Sequence, residues 1–135
     1  MARIFVDSAH YIATLLPKDR LHETALDTAN ALRGSDFVTF DAVLMEVLAY
    51  VCDRGSNARD RAVRLVRLLR ADTGTVVVPQ TRELFDAGLD LYARRPDKGY
   101  SLTDAISMVI CDQLGIKQVL THDRHFEQEG YEILL

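Results

Sequence analysis

Five short runs rich in β-branched and aromatic residues recur along the chain, each separated from the next by longer stretches with helical spacing. This alternation constrains the fold more than any other feature. The pattern predicts strands near 2–6 (Ala-Arg-Ile-Phe-Val), 36–40 (Asp-Phe-Val-Thr-Phe), 75–78 (Thr-Val-Val-Val), 118–121 (Gln-Val-Leu-Thr) and 131–134 (Tyr-Glu-Ile-Leu). Helices are predicted near 8–15, 20–33, 41–54, 57–72, 81–94, 102–114 and 124–129. Breakers fall at the seams: Gly34-Ser35, Gly55-Ser56, Gly74, Pro79, Pro96 to Gly99, Gly115 and Gly130. Strand, crossover and strand in repetition means an α/β fold with a mostly parallel sheet of about five strands flanked by helices. With 135 residues, no internal repeat and no long linker, the expectation is one domain over 1–135.

Two helical stretches stand apart. From Ala42 to Cys52 only Glu46 is polar among apolar and aromatic residues, and from Ala105 to Cys111 only Ser107 interrupts the apolar run. Both are expected to be buried on most sides. An ionised Glu46 there would cost several kcal/mol if unpaired, so it needs a partner. Cys52 and Cys111 read as buried free thiols of a reducing compartment, with the cytoplasm as the default location. No apolar run reaches the ~20 residues a membrane-spanning helix needs, and Met1 to Asp7 lack the pattern of a signal peptide.

Four acids stand where an open parallel sheet places its ligands, at the carboxyl ends of strands. Asp7 follows the first predicted strand directly. Glu46 lies in the helix after the second, Asp104 opens the helix at 102–114, and Asp123 follows the fourth strand by two residues. Carboxylates gathered in one cleft repel: a pair ~5 Å apart at an effective dielectric of ~20 costs roughly 3 kcal/mol. Protons or a cation must neutralise such a group. An all-oxygen donor set favours a hard ion, Mg²⁺ or Mn²⁺ before Zn²⁺. Such an ion suits phosphodiester hydrolysis.

Each acid also has a plain structural reading. Asp7 and Asp123 each precede a predicted helix and can cap it. Ser101-x-x-Asp104 matches a capping box. Glu46 can be half of a buried pair with an arginine. It is the joint occurrence of the four that points to a site.

Other chemistries fare worse. His122 and His125 beside Asp123 are too loosely spaced, with no supporting Cys or His cluster, for a zinc site. His10, beside Tyr11, reads as a surface or packing residue. No cysteine has a nearby His, and no Gly-rich phosphate loop follows a strand. A haloacid-dehalogenase-like phosphatase needs Asp-x-Asp after the first strand, where position 9 is Ala, and a receiver domain needs an Asp after the third, where Pro79-Gln80 stands. A net charge of −4 argues against bulk coating of nucleic acid, but Arg59, Arg61, Arg64, Arg67 and Arg70 crowd one segment. They read either as the solvated face of an amphipathic helix or, through Arg64 and Arg67, as a track for an RNA backbone.

At these residues the sequence resembles the PIN-domain family, and within it the VapC-type toxin ribonucleases of type II toxin–antitoxin systems. Ile4-Phe5-Val6-Asp7-Ser8 resembles the family's opening strand and first acid, and His22 with Ala25 resembles the helix that follows. Val38-Thr39 leading to Glu46-Val47 resembles the segment carrying its Glu. Ser101-Leu102-Thr103-Asp104-Ala105 is similar to its third acidic motif, and Leu120-Thr121-x-Asp123-x-x-Phe126 with Gly130 to its fourth.

The resemblance covers the whole chain. It implies a sheet of order 3-2-1-4-5 and a Mg²⁺- or Mn²⁺-dependent endoribonuclease leaving a 5′-phosphate. It also implies metal ligation and catalysis by Asp7, Glu46, Asp104 and Asp123, with Asp7 and Asp104 as principal ligands and Thr121 hydrogen-bonding a carboxylate. A structured RNA substrate such as transfer or ribosomal RNA, a homodimer and a cognate antitoxin follow from the same likeness. A stand-alone RNA-processing nuclease or a non-catalytic PIN-like binding module are the alternatives. Two departures stand out: Ser8-Ala9 replaces the usual Thr-Ser after the first acid, and His122 precedes Asp123 where a small or acidic residue is common.

Overall fold

A computed structural model describes residues 3–135. The order of elements is β1 (Arg3–Val6), α1 (Ser8–Leu15), α2 (His22–Ala31), β2 (Asp36–Phe40), α3 (Asp41–Val51), α4 (Ser56–Ala71), β3 (Thr75–Val78), α5 (Arg82–Arg94), α6 (Leu102–Leu114), β4 (Gln118–Leu120), α7 (Arg124–Gln128) and β5 (Glu132–Ile133). Ala2, the start of the first predicted strand, lies outside the described residues.

The five strands form one sheet in the order β3-β2-β1-β4-β5, and every pair is parallel. This is the fold class expected from the residue pattern and the strand order that the family resemblance implies. The chain winds outward from β1 to β3, then crosses back to lay β4 on the other side of β1. Strand order therefore reverses between β1 and β4, and a crevice opens at their carboxyl ends. Register aligns these ends, with Val6 opposite Leu120. The ladder runs one residue further, where the Asp7 amide donates to the Leu120 carbonyl at 3.3 Å.

Ile4, Phe5, Val6, Val38, Phe40, Val119 and Leu120 are all but fully buried, because helices cover both faces of the sheet. α6 is as deeply buried as its composition requires, from Asp104 through Cys111 with little interruption. It packs on α5 at Gly88, where any side chain would overlap Cγ1 of Ile106.

α3 departs from expectation. Only its Val43, Leu44, Val47 and Val51 stripe faces the core, while Met45 is 66 % and Tyr50 42 % exposed. An end-to-end apolar composition carries no information about which face meets the sheet, and here one face meets solvent. Cys52, just past this helix, is likewise exposed and not buried, whereas Cys111 is buried as expected. His10 is a packing residue, 6 % exposed, and its burial pulls the imidazole down to about 4.

Candidate functional site

The crevice at the β1–β4 switch is an open cleft of about 570 Å³, and Asp7, Glu46, Asp104 and Asp123 all line it. Each arrives by a different route. Asp7 is the residue after β1, at the N-cap position of α1, yet its side chain makes no capping bond there. Oδ2 instead accepts from the Thr121 hydroxyl at 3.0 Å. The same Thr121 oxygen accepts the backbone N–H of Asp123 at 3.1 Å. One buried hydroxyl thus ties together the segments that follow the two central strands.

Asp104 and Asp123 do perform the capping their motifs foretell. The Ser101 hydroxyl accepts the Asp104 amide at 3.0 Å, and Asp104 Oδ2 accepts the Ser101 amide at 3.1 Å, completing a capping box. Asp123 Oδ1 accepts the His125 amide at 2.9 Å. Structural and functional readings are not exclusive here: the caps orient the carboxylates toward the cleft they line. Among the described residues, no arginine pairs with Glu46. Its Oε1 accepts from the Ser8 hydroxyl at 2.9 Å, so the residue replacing the usual threonine after Asp7 still supplies a hydroxyl to the site.

Crowding and burial shift these acids in one direction. Asp7, only 4 % exposed, is pushed up to about 7 by its burial first and then by the charge of Asp104. Glu46 and Asp104 are raised as well, each mainly by burial, with charge repulsion from Asp104 and Asp123 respectively adding to it. Carboxyls this reluctant to ionise together are a fit for a divalent cation, which supplies the positive charge the fold omits.

Among the described residues, the tightest group of potential ligand atoms comes from Asp104, Asp123 and His125, all within 4.8 Å of one another. Nδ1 of His125 stands 3.2 Å from Asp104 Oδ2 and 3.2 Å from Asp123 Oδ1. Sequence reasoning set His125 aside because its spacing to other histidines was wrong for zinc. The signal lay in the two-residue step from Asp123, which puts both side chains at one helix start.

A family profile described as PIN domain matches residues 4–129. The chain belongs to the PIN-domain family. Among solved structures, this PIN domain is similar to VapC20 of Mycobacterium tuberculosis, described as a Sarcin-Ricin loop cleaving toxin. The TM-score is 0.83 at 25 % identity, with 95 % of each chain covered. It also shares its fold with FitAcB from Neisseria gonorrhoeae, with a TM-score of 0.70 at 18 % identity, covering 98 % of this chain and 96 % of the other. No curated protein matches it by sequence.

Arg64 and Arg67 of this PIN domain sit exposed on α4 and are not among the residues lining the cleft. Arg64 pairs with Asp60 at 2.9 Å on the helix surface. Arg124 lines the cleft, beside His122 and His125. No helix among the described residues is long and apolar enough to cross a membrane.

Proposed function

We propose that this PIN domain, a single unit over 1–135, is the toxin of a toxin–antitoxin pair: a cytoplasmic Mg²⁺- or Mn²⁺-dependent endoribonuclease that cuts RNA and leaves a 5′-phosphate. The observation that carries the reading is the meeting of Asp7, Glu46, Asp104 and Asp123 in one cleft at the sheet's switch point, within a nuclease-bearing family. The likeness to VapC20, a Sarcin-Ricin loop cleaving toxin, supports a structured RNA, ribosomal or transfer, as substrate and a cognate antitoxin as partner. A homodimer is part of the same proposal.

Asp7 and Asp104 are the principal ligands, with Glu46 and Asp123 completing the set. When bound, the cation supplies Lewis acidity toward a non-bridging phosphate oxygen and the charge that offsets the developing negative charge. The chain's own groups do the rest. Thr121 fixes Asp7 in one rotamer, and the two helix caps fix Asp104 and Asp123. Glu46, half-buried and raised, is held by Ser8 at the cleft wall, where it suits proton acceptance from an attacking water. Arg64 and Arg67, away from the cleft, would follow the RNA backbone beyond the cut.

The test is cleavage of a structured RNA by purified protein with Mn²⁺, beside Asp7→Asn and Asp104→Asn, with the new ends sequenced. Loss of at least ~100-fold in both variants, and 5′-phosphate ends, support the reading. Equal cleavage by Asp7→Asn and wild type overturns it and points to contaminating nuclease.

A further inference from the structure

His125 lies in the middle of the acidic cleft although no acid-based reasoning calls for it. Its Nδ1 is equidistant, at 3.2 Å, from one oxygen of Asp104 and one of Asp123. We infer that Nδ1 of His125 is itself a cation ligand beside Asp104 and Asp123, making a mixed nitrogen–oxygen centre that holds first-row transition ions more tightly than Mg²⁺. This inference rests on the metal-dependent reading of the same cleft and adds a donor to it.

Three features support it. Adjacent ligands around a six-coordinate ion with bonds of about 2.1 Å are separated by about 3 Å. The two nitrogen–oxygen spacings therefore already suit neighbouring positions in such a shell. Second, each donor has a contact of its own that holds it in place. Asp104 Oδ2 is held by the Ser101 amide, Asp123 Oδ1 by the His125 amide, and the His125 ring packs edge-on against Tyr100 at 5.5 Å. Gly99 lies beside the ring's other nitrogen: a Cβ added there would stand 3.3 Å from Nε2. Third, imidazole is a borderline donor. It raises affinity along the Irving–Williams order from Mn²⁺ upward, while Mg²⁺ prefers oxygen and retains its water.

A purely structural His125, serving only as a hydrogen-bond donor between the carboxylates, makes different predictions. Protein carrying ¹⁵N in histidine alone, loaded with Mn²⁺ in nitrogen-free buffer, is examined by pulsed electron–nuclear spectroscopy. A direct ¹⁵N coupling is expected in wild type and in His122→Ala, and is expected to vanish in His125→Ala and His125→Asn. In calorimetry, His125→Ala should weaken Mn²⁺ and Co²⁺ at least ~10-fold, with Co²⁺ affected more, and Mg²⁺ less than ~3-fold. His125→Asn retains a hydrogen-bonding amide and should not restore affinity.

Bound Mn²⁺ without ¹⁵N coupling, a coupling that persists in His125→Ala, or a parallel loss of Mg²⁺ overturns the inference while leaving the acidic site standing. Wild type that binds none of the ions, or Asp104→Asn that binds them equally well, overturns the metal site as a whole. The wild-type spectrum needs no variant, so a misfolded His125→Ala does not block the decision.

Discussion

The hydroxyl of Thr121 donates to Oδ2 of Asp7 across 3.0 Å, although 114 positions separate the two residues. Parallel pairing of β1 with β4 brings them together, and the bond holds a charge-bearing oxygen in an otherwise buried setting. Thr121→Val keeps the shape and removes the donor. A hydrogen bond to a charged group contributes about 1.5–3 kcal/mol. The variant should lose stability of that order in urea titrations above pH 7, where Asp7 is ionised, and lose less near pH 5. Equal losses at both values would mean that the bond to Asp7 contributes nothing and that Thr121 acts through packing and its acceptance of the Asp123 amide.

The metal-free protein should become less stable as pH rises from about 4 to about 7. Asp7 has an ordinary value of 3.8 and titrates at about 7 in the folded chain. Between these values the unfolded chain has released the proton that the folded chain retains, so each step up in pH favours unfolding. The effect is absent below the lower value, reaches on the order of 4 kcal/mol near neutrality, and levels off beyond it. Raised Glu46 and Asp104 slope the same way. Urea midpoints in chelator across pH 4 to 8 should show the decline, and Asp7→Asn should remove most of it. Saturating Mn²⁺ at pH 8 should recover the lost stability, because the ion binds only the assembled cleft.

Gly88→Ala tests the α5–α6 packing separately from the chemistry. The added methyl would overlap Ile106 Cγ1 and press on its backbone. Overpacking of this kind costs about 1–3 kcal/mol. Melting should shift down accordingly, with Mn²⁺ affinity of the folded protein unchanged. A neutral or stabilising outcome would show that the two helices can part without cost.

The arginine face of α4 separates by salt dependence. If Arg64 and Arg67 follow an RNA backbone, the double alanine variant should bind RNA more weakly across all sequences. Its slope of log affinity against log salt should become shallower by about 1 for each phosphate that an arginine no longer neutralises. An unchanged slope returns α4 to a solvated surface, the role its Arg64–Asp60 pair already fills.

Much of this was legible in the residues alone. Short β-branched and aromatic runs and helical spacing mark the twelve elements, with ends displaced by a few residues where helices fray or strands are short. Ser101-x-x-Asp104 foretold its capping box, and Asp7, Asp104 and Asp123 stood at element ends, with Glu46 marked instead as the lone acid of an apolar helix. The exposed face of α3, with Met45 and Tyr50, was not legible: uniform apolarity gives a helix no preferred side. Ser8 as the Glu46 partner was equally hidden, and so was the approach of His125 to Asp104, since neither contact follows from spacing along the chain; only the place of His125 beside Asp123 could be read locally.

By itself, the sequence determined the kind and succession of elements, the parallel sheet, and which side chains could carry charge. Hydrogen bonds within a turn and the periodicity of apolar residues act over a few positions, so they can be read locally. Tertiary structure decided that β4 returns beside β1, that four carboxyls share one crevice, and that Asp7 holds its proton to about 7. Desolvation and charge repulsion depend on distance through space, and that distance exists only once the chain has closed on itself.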